Sequence, residues 1–197
     1  MSRTIAIVGS GPGGMYAAQG LLDKDTDCRV DIIERLPSPF GLIRAGVAPD
    51  HQKTKRVSKA FERTLAHDRV RYLGNVEVGR DITISELLNL YDGVVLAYGA
   101  PHDNRLGVLG ENLQNVFGSN AFVGWYNGHP DFRDLNPDLN VNAAAIIGVG
   151  NVALDVARVL AKTKNEMSVT DLADYAAKAS HSSPIKNIHM LGRRGPV

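Results

Sequence analysis

Two glycine-rich turns, Gly9-Ser10-Gly11-Pro12-Gly13-Gly14 and Gly148-Val149-Gly150-Asn151-Val152-Ala153, carry the residues with the clearest chemistry in this 197-residue chain. Each follows an apolar run, Ile5-Ala6-Ile7-Val8 in one case and Ala145-Ile146-Ile147 in the other, and each opens onto a helix-compatible stretch. That strand–turn–helix setting is what a dinucleotide fingerprint requires. The first glycine makes the tight turn, the second lets backbone approach a pyrophosphate, and the third lets helix and strand pack closely, with the phosphates at the helix N-terminus. In the second turn Ala153 takes the third position, and it is still small enough for close packing.

The residue at the end of the following strand reports what the adenosine ribose carries. Glu34 stands there in the first unit, twenty residues after Gly14. A carboxylate accepts from a free 2′-hydroxyl and repels a 2′-phosphate, so this site suits FAD or NAD. The corresponding strand of the second unit, Asn187 to Leu191, is followed by Gly192-Arg193-Arg194 and no acid. Guanidinium groups bind phosphate bidentately and stay charged, which points to NADP.

The elements that must hold these groups follow from periodicity. Residues 4–8 read as a strand, 12–23 as a helix and 29–34 as a second strand. Pro37, Pro39, Gly41, Gly46 and Pro49 make 35–50 an extended loop. Asp50 is expected to cap a helix running to about residue 66, whose apolar stripe is Val57, Phe61 and Leu65. Two short strand-like runs lie within 70–82, a short helix at 85–90 and a buried strand at 93–97. Met167 to Pro184 reads as a polar, partly helical insertion. The expected fold is α/β with two Rossmann-like dinucleotide-binding units, the second one partial. The expected division is an FAD domain over 1–100, a connection over 101–141 and an incomplete NADP domain over 142–197.

Composition narrows the function. The chain is 44% hydrophobic and 22% charged with net charge +1, ordinary globular values that argue against a nucleic-acid partner. No apolar run approaches 18 residues, so no membrane span is expected. No export leader is expected ahead of the first strand, and the single cysteine, Cys28, fits a reducing compartment; the cytoplasm is the expected location. A redox-active cysteine pair cannot be made from one cysteine, and the six histidines are scattered without metal-ligand spacing. An unphosphorylated dinucleotide followed by NADP is the layout of a flavoprotein reductase, in which hydride passes from nicotinamide to flavin. The remaining acceptors are a one-electron carrier protein or a small quinone-like molecule. Lys53, Lys55, Arg56, Lys59 and Arg63 line one side of the helix after Asp50, most simply as a solvated face.

The segments VGSGPGG, PSPFGLIRAGVAPDH, GNVEVGRDI, VVLAYGA, AFVGWYNG, GVGNVALDVARVL and LGRRGP together resemble the ferredoxin–NADP reductases of the adrenodoxin-reductase type, nearly end to end. The resemblance implies FAD in an N-terminal domain, NADPH in a domain inserted within it, and single-electron transfer to a ferredoxin-like iron–sulfur protein. It implies FAD contacts at Gly9, Gly11, Gly13, Gly14, Glu34, Leu42 and Val78, and NADP contacts at Val149, Gly150, Asn151, Val152, Arg193 and Arg194. It further places His51 close to the isoalloxazine, with Asp155 as a partner able to relay a proton, so these two are the expected catalytic residues. The family's chain is more than twice this length, so the sequence is expected to be its N-terminal portion, with an incomplete second unit. Two other readings remain: an electron-input subunit resembling the small subunit of glutamate synthase, which would call for cysteine-rich cluster segments, and a nonenzymatic dinucleotide-binding module.

Overall fold

A computed structural model describes residues 2–193. In chain order the elements are β1 (Thr4–Val8), α1 (Pro12–Lys24), β2 (Arg29–Glu34), α2 (Leu42–Ala45), α3 (Gln52–Lys55), α4 (Ser58–Leu65), β3 (Val70–Gly74), α5 (Ile84–Leu90) and β4 (Gly93–Leu96). They continue with α6 (Ser119–Tyr126), a 3₁₀ turn at Pro130–Phe132, β5 (Ala143–Ile147), α7 (Asn151–Ala161), α8 (Lys164–Met167), α9 (Asp174–His181) and β6 (Asn187–Leu191). The chain divides into two compact units: residues 1–44 with 53–100, and 45–52 with 101–197.

In the first unit four parallel strands lie in the order β3-β2-β1-β4. Ile7 pairs with Ile32 on one side and Val95 on the other, so alternate side chains assemble into two apolar layers. One face packs Ile7, Val30 and Ile32 with Met15 and Ala18 of α1 and Phe61 of α4; the other packs Ala6, Val8 and Ile33 with Leu87 of α5. Covering both faces is why the strands read as near-continuous apolar runs. Asp31 interrupts β2 and is buried, but Arg71 donates to both its oxygens and the Tyr91 hydroxyl donates to Oδ2. A buried carboxylate is tolerated when its acceptors are satisfied in this way.

The second unit contains the parallel pair β5–β6, in register from Ala143↔Asn187 to Ile147↔Leu191, with α7 packed on both strands. Its core gathers Val123, Trp125 and Tyr126 of α6, Val156 and Val159 of α7, Met167, Ala176 and the distant Ala48.

Several elements differ from the sequence expectation. The helix expected from Asp50 to about 66 is broken into α3 and α4, and Asp50 caps neither, because its carboxylate is taken by Arg158 of α7 and by Lys162, which caps that helix's end. The second run within 70–82 forms only a bridge between Val78 and Ile82. The segment 101–141 contributes packing as well as connection. Asp103 reaches across the chain to accept from the Asn120 and Ala121 amides at the start of α6, and the Trp125 and Tyr126 rings that follow are almost wholly buried. Burial of two large rings is the reason this stretch folds into the second unit.

Candidate functional site

Gly9 closes β1 with φ +105°, and a Cβ there would lie 2.4 Å from the Ala97 carbonyl oxygen just beyond β4. The first turn therefore sits where the strand order 3-2-1-4 reverses, the crevice in which open α/β sheets bind ligands. Gly11 caps α1 with no side-chain acceptor, and no atom lies within 4 Å of where its Cβ would be. Gly13 and Gly14 follow in the first helical turn. A turn with backbone packed tightly behind it and open space in front is a cradle shaped for a phosphate.

Glu34 ends β2, and its carboxylate is drawn toward the turn. Oε2 accepts from the Ser10 amide at 2.9 Å and the Ser10 hydroxyl at 2.6 Å, while Oε1 accepts from the Leu36 amide at 3.1 Å. A carboxylate offers about four acceptor positions, so capacity for one ribose hydroxyl remains. Ser10 is fully buried and also takes the Phe40 amide, through its carbonyl at 3.1 Å and its hydroxyl at 3.2 Å. Phe40 itself has φ +89°, a left-handed conformation that costs a bulky residue roughly 1–3 kcal/mol. Its buried ring, packed near Phe61, holds it there. Leu42 follows in α2 with its side chain exposed, and Val78 packs against the Ala6–Val8–Ile33 layer. Sequence reasoning missed Ser10 and Phe40: nothing local announces that a serine inside the turn joins two loops.

The second turn repeats the arrangement. Gly148 has φ +130° and its amide donates to the Leu191 carbonyl at 2.8 Å. Gly150 caps α7 with no side-chain acceptor and open space around it, and Val149 and Val152 are exposed beside it, with Asn151 opening the helix. Because Ile147 pairs with Leu191 in parallel, the chain past β6 leaves the sheet at the same end as this turn. Arg193 lies two residues beyond β6 and is exposed. Arg194 lies outside the described residues.

His51 and Asp155 are brought together: His51 Nδ1 is 3.7 Å from Asp155 Oδ1. The same Asp155 oxygen accepts from Arg158 Nη2 at 2.8 Å, the i,i+3 pair that helix spacing allows. Arg158 also donates through Nε and Nη2 to both oxygens of Asp50, at 2.6 and 2.9 Å, and Lys162 Nζ donates to Asp50 Oδ2 at 2.7 Å. The Asp50 side chain is only 6% exposed. The Arg158 hydrogen bonds, followed by Lys162, hold the Asp50 carboxyl well below the usual carboxylate range against the opposing effect of burial. Asp50 in turn raises Arg158 further above its ordinary value. Burial, with the Asp155 charge, pushes the nearby Tyr126 phenol up, and its hydroxyl is buried with no hydrogen-bond partner. Cys28 is buried, and burial pushes its thiol up as well, so it is no nucleophile.

A lowered carboxylate pKa has a defined pH signature. The charged form is favoured on folding, so the contribution is complete above the unfolded value near 3.9 and is lost as pH falls below it toward the folded value. Thermal midpoints of the wild-type chain should therefore drop between about pH 4 and pH 2, while Asp50→Asn removes most of that component. Parallel curves for the two proteins would rule out the Asp50 pairing with Arg158 and Lys162 as the source.

Among the described residues no three or more His, Cys, Asp or Glu groups form a metal cluster, and no helix is long and apolar enough to cross a membrane. A family model described as pyridine nucleotide-disulphide oxidoreductase matches residues 3–190. The chain is 50% identical over 194 residues to the mitochondrial NADPH:adrenodoxin oxidoreductase of Arabidopsis thaliana, covering 98% of this chain and 40% of that protein. It is 48% identical over 194 residues to a probable ferredoxin/ferredoxin–NADP reductase of Mycobacterium tuberculosis, covering 98% of this chain and 34% of the relative. The solved structure of Mycobacterium tuberculosis FprA in complex with NADPH superposes with a TM-score of 0.97 at 46% identity, over 100% of this chain and 44% of that one. The chain thus spans about two fifths of the length of the proteins it resembles.

Proposed function

Since the chain belongs to the pyridine nucleotide-disulphide oxidoreductase family, we propose that it is the dinucleotide-binding portion of an NADPH-dependent flavoprotein reductase that passes electrons to a ferredoxin-like iron–sulfur protein. The observation that carries this reading is a pair of open, uncapped strand–turn–helix cradles with opposite chemistry at the ribose position, Glu34 in one and Arg193 in the other. The names of the relatives, adrenodoxin and ferredoxin–NADP reductases, support the same acceptor class. A reducing compartment suits the lone buried cysteine, and we place the protein in the cytoplasm, although relatives are named as mitochondrial.

In this reading Gly9, Gly11, Gly13 and Gly14 hold the FAD pyrophosphate, Glu34 its ribose, and Leu42 and Val78 flank the rest. Val149, Gly150, Asn151 and Val152 receive the NADP pyrophosphate, and Arg193 with Arg194 its 2′-phosphate. Bound NADPH would supply a hydride and bound FAD would accept it and release electrons singly, which is cofactor chemistry. The protein's part is placement and charge. Asp155, fixed by its hydrogen bond from Arg158, faces the His51 ring, and in this reading the pair is placed to pass a proton as the flavin's charge changes.

Calorimetric titration of the purified chain with FAD, NADP and NAD tests the assignment. FAD binding, with NADP strongly preferred over NAD, is expected; no binding of any of the three would defeat it. Arg193→Ala should weaken NADP by about 1.5–3 kcal/mol, roughly 10- to 100-fold, the worth of a hydrogen bond to a charged group. NAD affinity should not move, and equal losses for both nucleotides would take Arg193 away from the 2′-phosphate.

A further inference from the structure

We propose that Arg158 is a positioning residue that fastens the His51 segment to the second fingerprint helix, so that a dinucleotide seated at α7 is registered at His51. This rests on the reading of the second unit as the NADP site. Residues 45–52 are separated by about fifty residues from the rest of the second unit, yet they fold with it, and Ala48 is fully buried in its core. The His51 amide closes a turn onto the Ala48 carbonyl at 2.9 Å, which leaves the imidazole projecting from a short strap. That strap is tied by Gln52, which donates to Asp171 at 3.2 Å, and by Asp50, which receives the two Arg158 bonds and the Lys162 bond.

Burying Asp50 would need only one cation, and Lys162 provides it. Arg158 does more. Its planar fork spans two carboxylates at once, the one preceding His51 in sequence and the one 3.7 Å from its ring. Both the backbone entry to His51 and the acid facing it are thus set by one guanidinium on α7, two turns from the Gly150 cradle. An ammonium is a compact point charge that cannot hold this bidentate geometry while also reaching Asp155. The helix between cradle and guanidinium is regular, so displacement of its N-terminus carries to the strap.

The test uses the 197-residue chain, with amide hydrogen exchange and the His51 Cε1–Hε1 NMR cross-peak as readouts. In the wild-type protein, amides of 45–52 should exchange at rates comparable with α7, and NADP⁺ should slow both segments and move the His51 peak. In Arg158→Lys, exchange of 45–52 should rise tenfold or more while α7 changes less than threefold, and NADP⁺ should protect α7 without moving His51. Asp50→Asn, which keeps the side-chain shape and an acceptor, should reproduce this, whereas Lys162→Met should keep the His51 response. Unchanged 45–52 exchange in both Arg158→Lys and Asp50→Asn would overturn the proposal. So would a parallel rise in 45–52 and α7, which marks an ordinary stabilising contact, or a His51 response that survives Arg158→Lys. If NADP⁺ protects nothing in the wild-type chain, the NADP reading fails and with it the coupling to ligand; the ligand-free comparison still decides whether Arg158 fastens the strap.

Discussion

Gly14→Ala should abolish FAD binding and destabilise the first unit by about 3 kcal/mol or more, the upper range for forced overpacking. A Cβ at Gly14 would stand 1.9 Å from the Gly9 carbonyl oxygen, 3.0 Å from the Gly9 carbonyl carbon and 3.3 Å from Ile7 Cγ2. Two of those neighbours are backbone of the turn, which cannot rotate away as a side-chain end could. The helix would have to lift off the strand, and the turn it lifts is the one proposed to receive the pyrophosphate. Gly20→Ala supplies the opposite sign in the same helix. Nothing lies within 4 Å of a Cβ there, so it should gain about 0.5–1 kcal/mol by lowering the entropy of the unfolded chain and favouring helix. Thermal midpoints and bound-flavin absorbance of the two variants check both. If Gly14→Ala melts with the wild type and retains FAD, the third glycine is not a packing requirement in this turn.

Asp50→Ala should cost the second unit about 2–3 kcal/mol. Removing one partner of a buried pair typically costs about 3–5 kcal/mol, because the remaining charge is left uncompensated. Here Arg158 and Lys162 are 30% and 27% exposed, so water recovers part of their charge and the lower figure applies. For a unit of about one hundred residues this lowers the midpoint by roughly 10 °C or more. Lys162→Met should cost less than about 1 kcal/mol, since Asp50 keeps its bidentate Arg158. Equal losses from the two variants would show that the charge count, not the Arg158 geometry, matters.

The first unit was legible because its strands are buried on both faces and its turn chemistry is local. Strands at 4–8 and 29–34 and the helix after Gly11 coincide with the structure to within a residue. Glu34 at the end of β2 followed from spacing alone. Asp50 was not legible in the same way. An acid before a charged, helix-compatible stretch reads locally as a cap, and nothing near it in sequence shows that its cations stand 108 and 112 residues away. The Asp155–Arg158 spacing on α7 was visible, but the bond from Arg158 to Asp50, beside His51, was not.

By itself, the sequence determined the two glycine-rich strand–turn–helix units and the acid, Glu34, that ends the second strand of the first, since each depends on a few neighbouring residues. Only the tertiary structure decided that residues 45–52 fold with the second unit, that Ser10 joins Glu34 to Phe40, and that one guanidinium holds both Asp50 and Asp155. Local backbone and turn preferences are written in neighbouring residues, whereas the partner of a buried charge is chosen by which distant side chain can satisfy it once the core has closed.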